Sequence, residues 1–212
     1  MTTGRFIAFE GGEGTGKSTQ SRLLATALEE RGLEIVQTRE PGGTPGAEAI
    51  RSMLLDPPGE GWGARAEALL FAAARSDHVE KLITPALARG AWVVCDRFVD
   101  SSRAYQGGAG GIGDDAVNTL HAIGSKSLRP DLTILIDVTP AIIAERLAER
   151  DGDTSDAIGG RSAGYHAAVA RTFRQHAEAD PAGFAVISGE GTADEVHTHV
   201  LSALTPMLEG SE

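Results

Sequence analysis

The chain has 212 residues, enough for one substantial hydrophobic core and too few to favour two domains. Its formal net charge of −11 argues against a nucleic-acid polymer as partner, because such proteins carry a basic surface that displaces phosphate counterions. A single cysteine, Cys95, excludes an intramolecular disulfide and leaves zinc chemistry unsupported; no apolar run reaches the roughly 18 residues of a membrane span, so a soluble, cytoplasmic protein is expected.

In chain order, residues 5–10 form an apolar, β-prone run that leads into Gly-Gly-Glu-Gly-Thr-Gly-Lys-Ser over residues 11–18, and helical spacing of apolar residues follows over 21–31. A second strand is expected over 34–38, with Arg39-Glu40-Pro41-Gly42-Gly43 after it. An alanine-rich helix over 64–74 precedes a third strand over 91–96, which buries Cys95 and ends on Asp96-Arg97. Residues 107–113 are too rich in glycine for a strand or helix and read as a flexible loop. A fourth strand over 132–137 ends on Asp137, helices follow over 142–148 and 167–177, and a fifth strand spans 184–188. Residues 150–164 combine glycines and acidic residues with Arg150 and Arg161 and read as a mobile lid whose arginines swing onto phosphates, or else as a solvated loop. The alternation predicts one α/β domain over 1–212: a five-stranded parallel sheet with helices on both faces and functional residues at the strand C-terminal ends.

The chemistry starts at residues 11–18, a complete G-x-x-x-x-G-K-[ST] phosphate-binding loop set between strand and helix. Backbone N–H groups of Gly11, Gly12, Glu13, Gly14, Thr15 and Gly16 can converge on phosphate oxygens at the positive end of the helix, and Lys17 adds a cation for the outer phosphates. A nucleoside triphosphate, ATP, is the expected ligand. Ser18 is the natural hydroxyl ligand for Mg²⁺, and a carboxylate at a neighbouring strand end completes the pattern. Asp96 is favoured because Arg97 stands beside it; Asp137 is the rival, with helix capping before Val138-Thr139-Pro140 as its plain alternative.

Asp96-Arg97-Phe98-Val99-Asp100-Ser101-Ser102-Arg103-Ala104-Tyr105-Gln106-Gly107 resembles the signature of the thymidylate kinases. Thr38-Arg39-Glu40-Pro41-Gly42-Gly43-Thr44 and Leu69-Leu70-Phe71-Ala72-Ala73-Ala74-Arg75 extend the resemblance to the bacterial members and, with the phosphate loop, carry it over nearly the whole chain. The resemblance implies the P-loop NTPase fold, a homodimer, and transfer of the γ-phosphoryl of ATP to dTMP with Mg²⁺. It places Phe71 on the thymine ring, Arg75, Ser101 and Gln106 at the substrate, Arg39 and Arg97 on the acceptor phosphate, Glu13 at the sugar 3′-hydroxyl and Tyr165 near the monophosphate. The physics agrees: Phe71 and Arg75 share a helix face, an amide suits a pyrimidine edge, and forked guanidinium donors suit phosphate. Taken singly, Phe71 and Tyr165 also fit a core, Gln106 and Ser101 a loop, and the arginines surface ion pairs among 30 acidic residues.

Lys17, Arg97 and a lid arginine are the expected catalytic cations. The lid departs from the family pattern, since Asp156-Ala157-Ile158-Gly159 stands where an Asp-Arg-x-Glu run is common. Arg150 is favoured to replace the missing arginine because it aligns with another basic position of the family's lid; Arg161 is the second candidate. A kinase for another small acceptor and a nucleotide-dependent regulatory ATPase are the competing functions.

Overall fold

A computed structural model describes residues 4–151 and 157–209, with only the helical backbone described over 147–151. β1 (Phe6–Glu10) is buried along its whole length, as the central strand of a parallel sheet covered on both faces must be. Around it stand β2 (Ile35–Arg39), β3 (Trp92–Asp96), β4 (Leu132–Asp137) and β5 (Phe184–Ser188), in the spatial order β2-β3-β1-β4-β5 and all parallel. Each expected strand is present. Arg39 completes β2 instead of following it, because it pairs in register with Asp96 and the next amide, Glu40 N–H, still donates to the Asp96 carbonyl at 2.9 Å. That register sets Arg39, Asp96 and Phe9 in one row at the C-terminal edge.

Alternate side chains of the strands build two cores. Ile7, Phe9, Val94, Ile134 and Ile136 face α1 (Lys17–Glu29) and α9 (Ala193–Glu209), with α7 (Pro140–Asp151) packed at the side. Phe6, Ala8, Val93 and Cys95 face Val79, Ile83, α4 (Thr84–Ala88), the short α5 (Val99–Ser102) and α6 (Asp114–Ser125) on the opposite side, with α3 (Ala64–His78) packed on α5 and α6. Leu135 and Phe184 extend this second face under α8 (Ala163–Ala179). α2 (Pro45–Leu55) packs on α3 and is capped by Thr44, whose Oγ1 accepts from Ala47 N–H.

Two segments are wound more widely than an α-helix. Val79–Ile83 is a π turn between α3 and α4, just before Pro85, which has no N–H to continue an α ladder. Arg103–Ala109 is a second π turn, so residues 107–109 of the glycine-rich segment 107–113 expected as a flexible loop are helical. Its glycines serve close packing: a Cβ on Gly108 would lie 2.5 Å from Thr172 Oγ1 of α8, and one on Gly107 would touch Val117 of α6 at 3.4 Å. None of the described helices is long and apolar enough to cross a membrane.

Candidate active site

A cavity of about 470 Å³ opens at the C-terminal edge of the sheet, a volume suited to a small ligand. The phosphate loop forms its floor. Gly11, Gly14 and Gly16 adopt φ of 139°, 70° and 98°, and a Cβ on Gly11 would lie 2.5 Å from the Ile136 carbonyl oxygen, so the loop can approach β4 this closely only with glycine there. The loop ends on the first turn of α1, where the first bonds run from Thr19 and Gln20 N–H to the Gly16 carbonyl and the amides of Lys17 and Ser18 before them have no intrahelical acceptor. Lys17 is buried and folded back on the loop, with Nζ 2.5 Å from the Gly12 carbonyl and 3.4 Å from Thr15 Oγ1. Burial, with the Arg97 guanidinium second, lowers the Lys17 pKa to about 8 against the opposing pull of Glu13, Asp96 and Glu10.

Ser18 Oγ donates to Asp96 Oδ2 in a short hydrogen bond. Asp96 Oδ1 is buried with no partner among the described residues, so a carboxylate oxygen with open lone pairs stands next to a hydroxyl at the loop end, a donor set that suits Mg²⁺. Among the described residues no group of three or more His, Cys, Asp or Glu could hold a metal by itself. Asp137 lies elsewhere, held by Arg174 through two bonds of 2.9 Å.

The turn after β3 forms a further side of the cavity. Arg97 has φ 72°, a left-handed conformation that costs a residue with a side chain about 1–3 kcal/mol. In return Asp96 and Arg97 both line the cavity. Arg97 donates to the Gly11 carbonyl and to Ser101 Oγ through Nη1, at 3.0 and 3.1 Å, and to Glu13 Oε1 through Nη2 at 2.5 Å, with the Tyr105 ring 5.2 Å away. The turn is tied down by Glu10, which is fully buried at the end of β1. Its Oε1 accepts from Phe98 N–H and Ser101 N–H at 2.8 and 2.9 Å, and its Oε2 from Ser101 Oγ at 2.6 Å. Burial, reinforced by the Asp100 carboxylate, pushes the Glu10 pKa up to about 7, although Arg97 and the donors of Ser101 and Phe98 pull the other way.

α3 forms another wall. Phe71 lines the cavity, and Arg75, one turn on, is buried with Nε on Glu40 Oε2 at 2.8 Å and Nη2 on Ser102 Oγ at 2.6 Å. His78 supports this arrangement from the next turn: Nδ1 lies 3.0 Å from Glu40 Oε1 and Nε2 2.8 Å from Thr38 Oγ1. Gln106 is buried at the cavity wall and donates to Glu67 Oε1 at 2.8 Å. Arg39 also lines the cavity, half-exposed and paired with Glu48 at 2.9 Å. The Gly43 N–H, first, and Arg39 hold the Glu48 pKa below its ordinary value despite partial burial.

Most residues nominated by the sequence therefore meet around one cavity, including Glu13, Lys17, Ser18, Arg39, Phe71, Arg75, Asp96, Arg97, Ser101 and Gln106. Arg161 and Tyr165 stand behind the wall, with Arg161 Nη1 on Tyr165 Oη at 2.5 Å and Arg161 Nη2 paired with Glu67. Among the described residues of the expected lid, Ile158 lines the cavity; the Arg150 side chain falls outside the described residues. Sequence reasoning missed Glu10, Glu40, Glu67, His78, Ser102 and Arg146. Arg146 of α7 stands at the loop rim, donating to the Thr15 and Gly189 carbonyls at 3.3 and 2.8 Å. A signal for part of this set exists: Glu67, Phe71, Arg75 and His78 follow the 4, 4, 3 spacing of one helix face.

The profile of the thymidylate kinase family matches residues 9–200. A thymidylate kinase of Rhizorhabdus wittichii is 54% identical over 205 residues, covering 97% of this chain and 99% of the relative, and one of Chromohalobacter salexigens is 47% identical over 209 residues with 98% of both chains covered. The crystal structure of thymidylate kinase from Ehrlichia chaffeensis superimposes with a TM-score of 0.77 at 33% identity, over 95% of this chain and 99% of the other. With a phosphate loop and the side chains of Arg39, Phe71, Arg75 and Arg97 on one cavity, and a profile that matches from β1 into α9, the chain belongs to the thymidylate kinase family.

Proposed function

We propose that this protein transfers the γ-phosphoryl of ATP to the 5′-phosphate of dTMP, yielding dTDP and ADP, a step toward dTTP for DNA replication. The observation that carries this reading is that one cavity is lined both by Lys17 and Ser18 of the phosphate loop and by Arg39, Phe71, Arg75, Arg97 and Gln106. An oxygen of the dTMP phosphate attacks the γ-phosphorus, the bond to the β-bridging oxygen breaks, and the leaving electron pair goes to ADP. The attacking oxygen is already anionic, so no strong general base is required, and catalysis consists of alignment and charge neutralisation. Lys17 neutralises charge on the outer phosphates of ATP. Arg97 gives up part of its bonding to Glu13 and holds the acceptor phosphate through its fork, with Arg39 beside it; the released Glu13 carboxylate accepts from the sugar 3′-hydroxyl. Phe71 stacks on the base, while Arg75 and Gln106 meet its polar edge and Ser101 supports the phosphate side through Arg97; Tyr165, expected near the monophosphate, stands behind the wall, bonded to Arg161 and the Tyr105 carbonyl.

Ser18 and Asp96 would hold Mg²⁺, which would supply further neutralisation of the polyphosphate. The residues fit that role through the unpartnered Asp96 Oδ1. From the lid, Arg150 delivers a cation to the transferring group; Arg161, the second candidate, would have to leave Glu67 and Tyr165 to do so. The unpaired, buried Cys95 suits a reducing cytoplasmic setting, and exposed Leu69 and Ile123 on the packed helices α3 and α6 support a homodimer. ADP release measured with dTMP, dUMP, dCMP and AMP side by side tests the assignment. A clear preference for dTMP is expected; equal rates with all four acceptors, or ADP release that needs none of them, would refute it.

A further inference from the structure

Glu67 is a carboxylate where phosphoryl transfer calls for none. It lies on α3 one turn before Phe71, nearly buried, with 9% of its side chain exposed. Two groups converge on it: Gln106 Nε2 donates to Oε1 at 2.8 Å, and Arg161 Nη2 pairs with Oε2. Arg161 is itself fixed, because its Nη1 donates to Tyr165 Oη at 2.5 Å and Tyr165 Oη donates to the Tyr105 carbonyl at 2.8 Å. The countercharge for Glu67 is thereby anchored to the same π turn that carries Gln106.

A carboxylate accepts hydrogen bonds and cannot donate them, so only the NH₂ end of the Gln106 amide can face Glu67. Gln106 is 2% exposed and lines the cavity, and its Oε1 has no hydrogen-bond partner among the described residues. We propose that Glu67 is a specificity-positioning residue. By holding the amide nitrogen it presents Gln106 Oε1 to the cavity as an acceptor and selects a nucleotide whose base carries N3–H over one whose N3 is a lone pair. An unrestrained amide rotates half a turn and serves either base. With the nitrogen held, a cytosine sets its N3 lone pair against Oε1 and leaves two acceptors unpaired in a buried place, the arrangement by which polar sites reject a near-isostere. The inference rests on the reading of this cavity as the site of a thymine nucleotide and names what enforces the choice there.

The test compares kcat/KM for dTMP and dCMP in the wild-type protein, in Glu67→Gln and in Glu67→Asp, with thermal melting followed in parallel. The glutamine introduced at 67 offers both a donor and an acceptor, so the Gln106 amide is free to take either orientation. The dTMP to dCMP ratio is expected to fall at least about tenfold in Glu67→Gln, with the melting temperature within about 5 °C of wild type. A purely structural role would lower both activities together and leave the ratio unchanged. Should Glu67→Gln fail to fold, Glu67→Asp carries the same test, since its carboxylate stops one methylene short of Gln106. An unchanged ratio in a folded variant overturns the role of Glu67; a wild-type protein with no preference for dTMP overturns instead the reading beneath it.

Discussion

Glu10 makes the stability of this protein fall as pH rises. It ends β1 fully buried, and its pKa is raised from the ordinary 4.5 to about 7, first by burial and next by the Asp100 carboxylate. In the unfolded chain the carboxyl ionises near 4.5, and in the folded chain only near 7, so between those values the folded state holds the extra proton. Stability from this group is complete below about pH 4.5, declines as pH rises, and is lost above about 7. The difference corresponds to roughly 3 kcal/mol in full and to about 2.5 kcal/mol between pH 5 and pH 8. Glu10→Gln removes the titration but can keep the bonds to Phe98 N–H and Ser101 N–H through its carbonyl oxygen, so it should cost only about 1 kcal/mol at pH 5. Urea unfolding of both proteins at pH 5 and pH 8 reads the effect, and comparing the two cancels the other titrating groups. The stability of wild type minus that of Glu10→Gln should fall by about 2 to 3 kcal/mol from pH 5 to pH 8. A difference that stays constant within about 0.5 kcal/mol would show that the buried carboxyl does not titrate in this window.

Asp96→Asn keeps a neighbour for Ser18 but weakens the proposed metal site; the Mg²⁺ concentration for half-maximal turnover should rise at least about tenfold, and an unchanged Mg²⁺ dependence would remove Asp96 from that site. Arg150→Ala should lower kcat at least about tenfold, roughly 1.4 kcal/mol of barrier, while Arg161→Ala should act chiefly on the choice of acceptor; if kcat survives both changes, the lid supplies no catalytic cation. Replacing exposed Leu69 and Ile123 by glutamate should convert a dimer to a monomer in light scattering, and an unaltered mass would move the interface elsewhere.

The fold was legible because its signals are local. Apolar runs at five strands and helical spacing between them specify an alternating parallel sheet, and the glycines at 11, 14 and 16 announce a loop whose φ values only glycine adopts easily. The cavity residues were legible where a motif names them. Buried carboxylates were harder to read, since their partners come from distant segments: Glu10 meets Phe98 and Ser101, Glu40 meets Arg75 and His78, and Glu67 meets Gln106 and Arg161. A carboxylate ending an apolar strand drew attention at Asp96, and the same logic applied to Glu10 would have found it. The start of the glycine-rich segment 107–113 was misread as a loop because glycine signals flexibility in sequence and serves close packing in this structure, against Thr172 and Val117.

Transfer itself can be followed with ATP labelled at the γ-phosphorus and dTMP as acceptor, the products being separated by chromatography. The label should appear in dTDP, one for each ADP formed, and should fall at least about a hundredfold in Lys17→Met, the loss expected when a charged donor to the transferring group is removed. Label released as inorganic phosphate at a rate indifferent to dTMP would contradict the account.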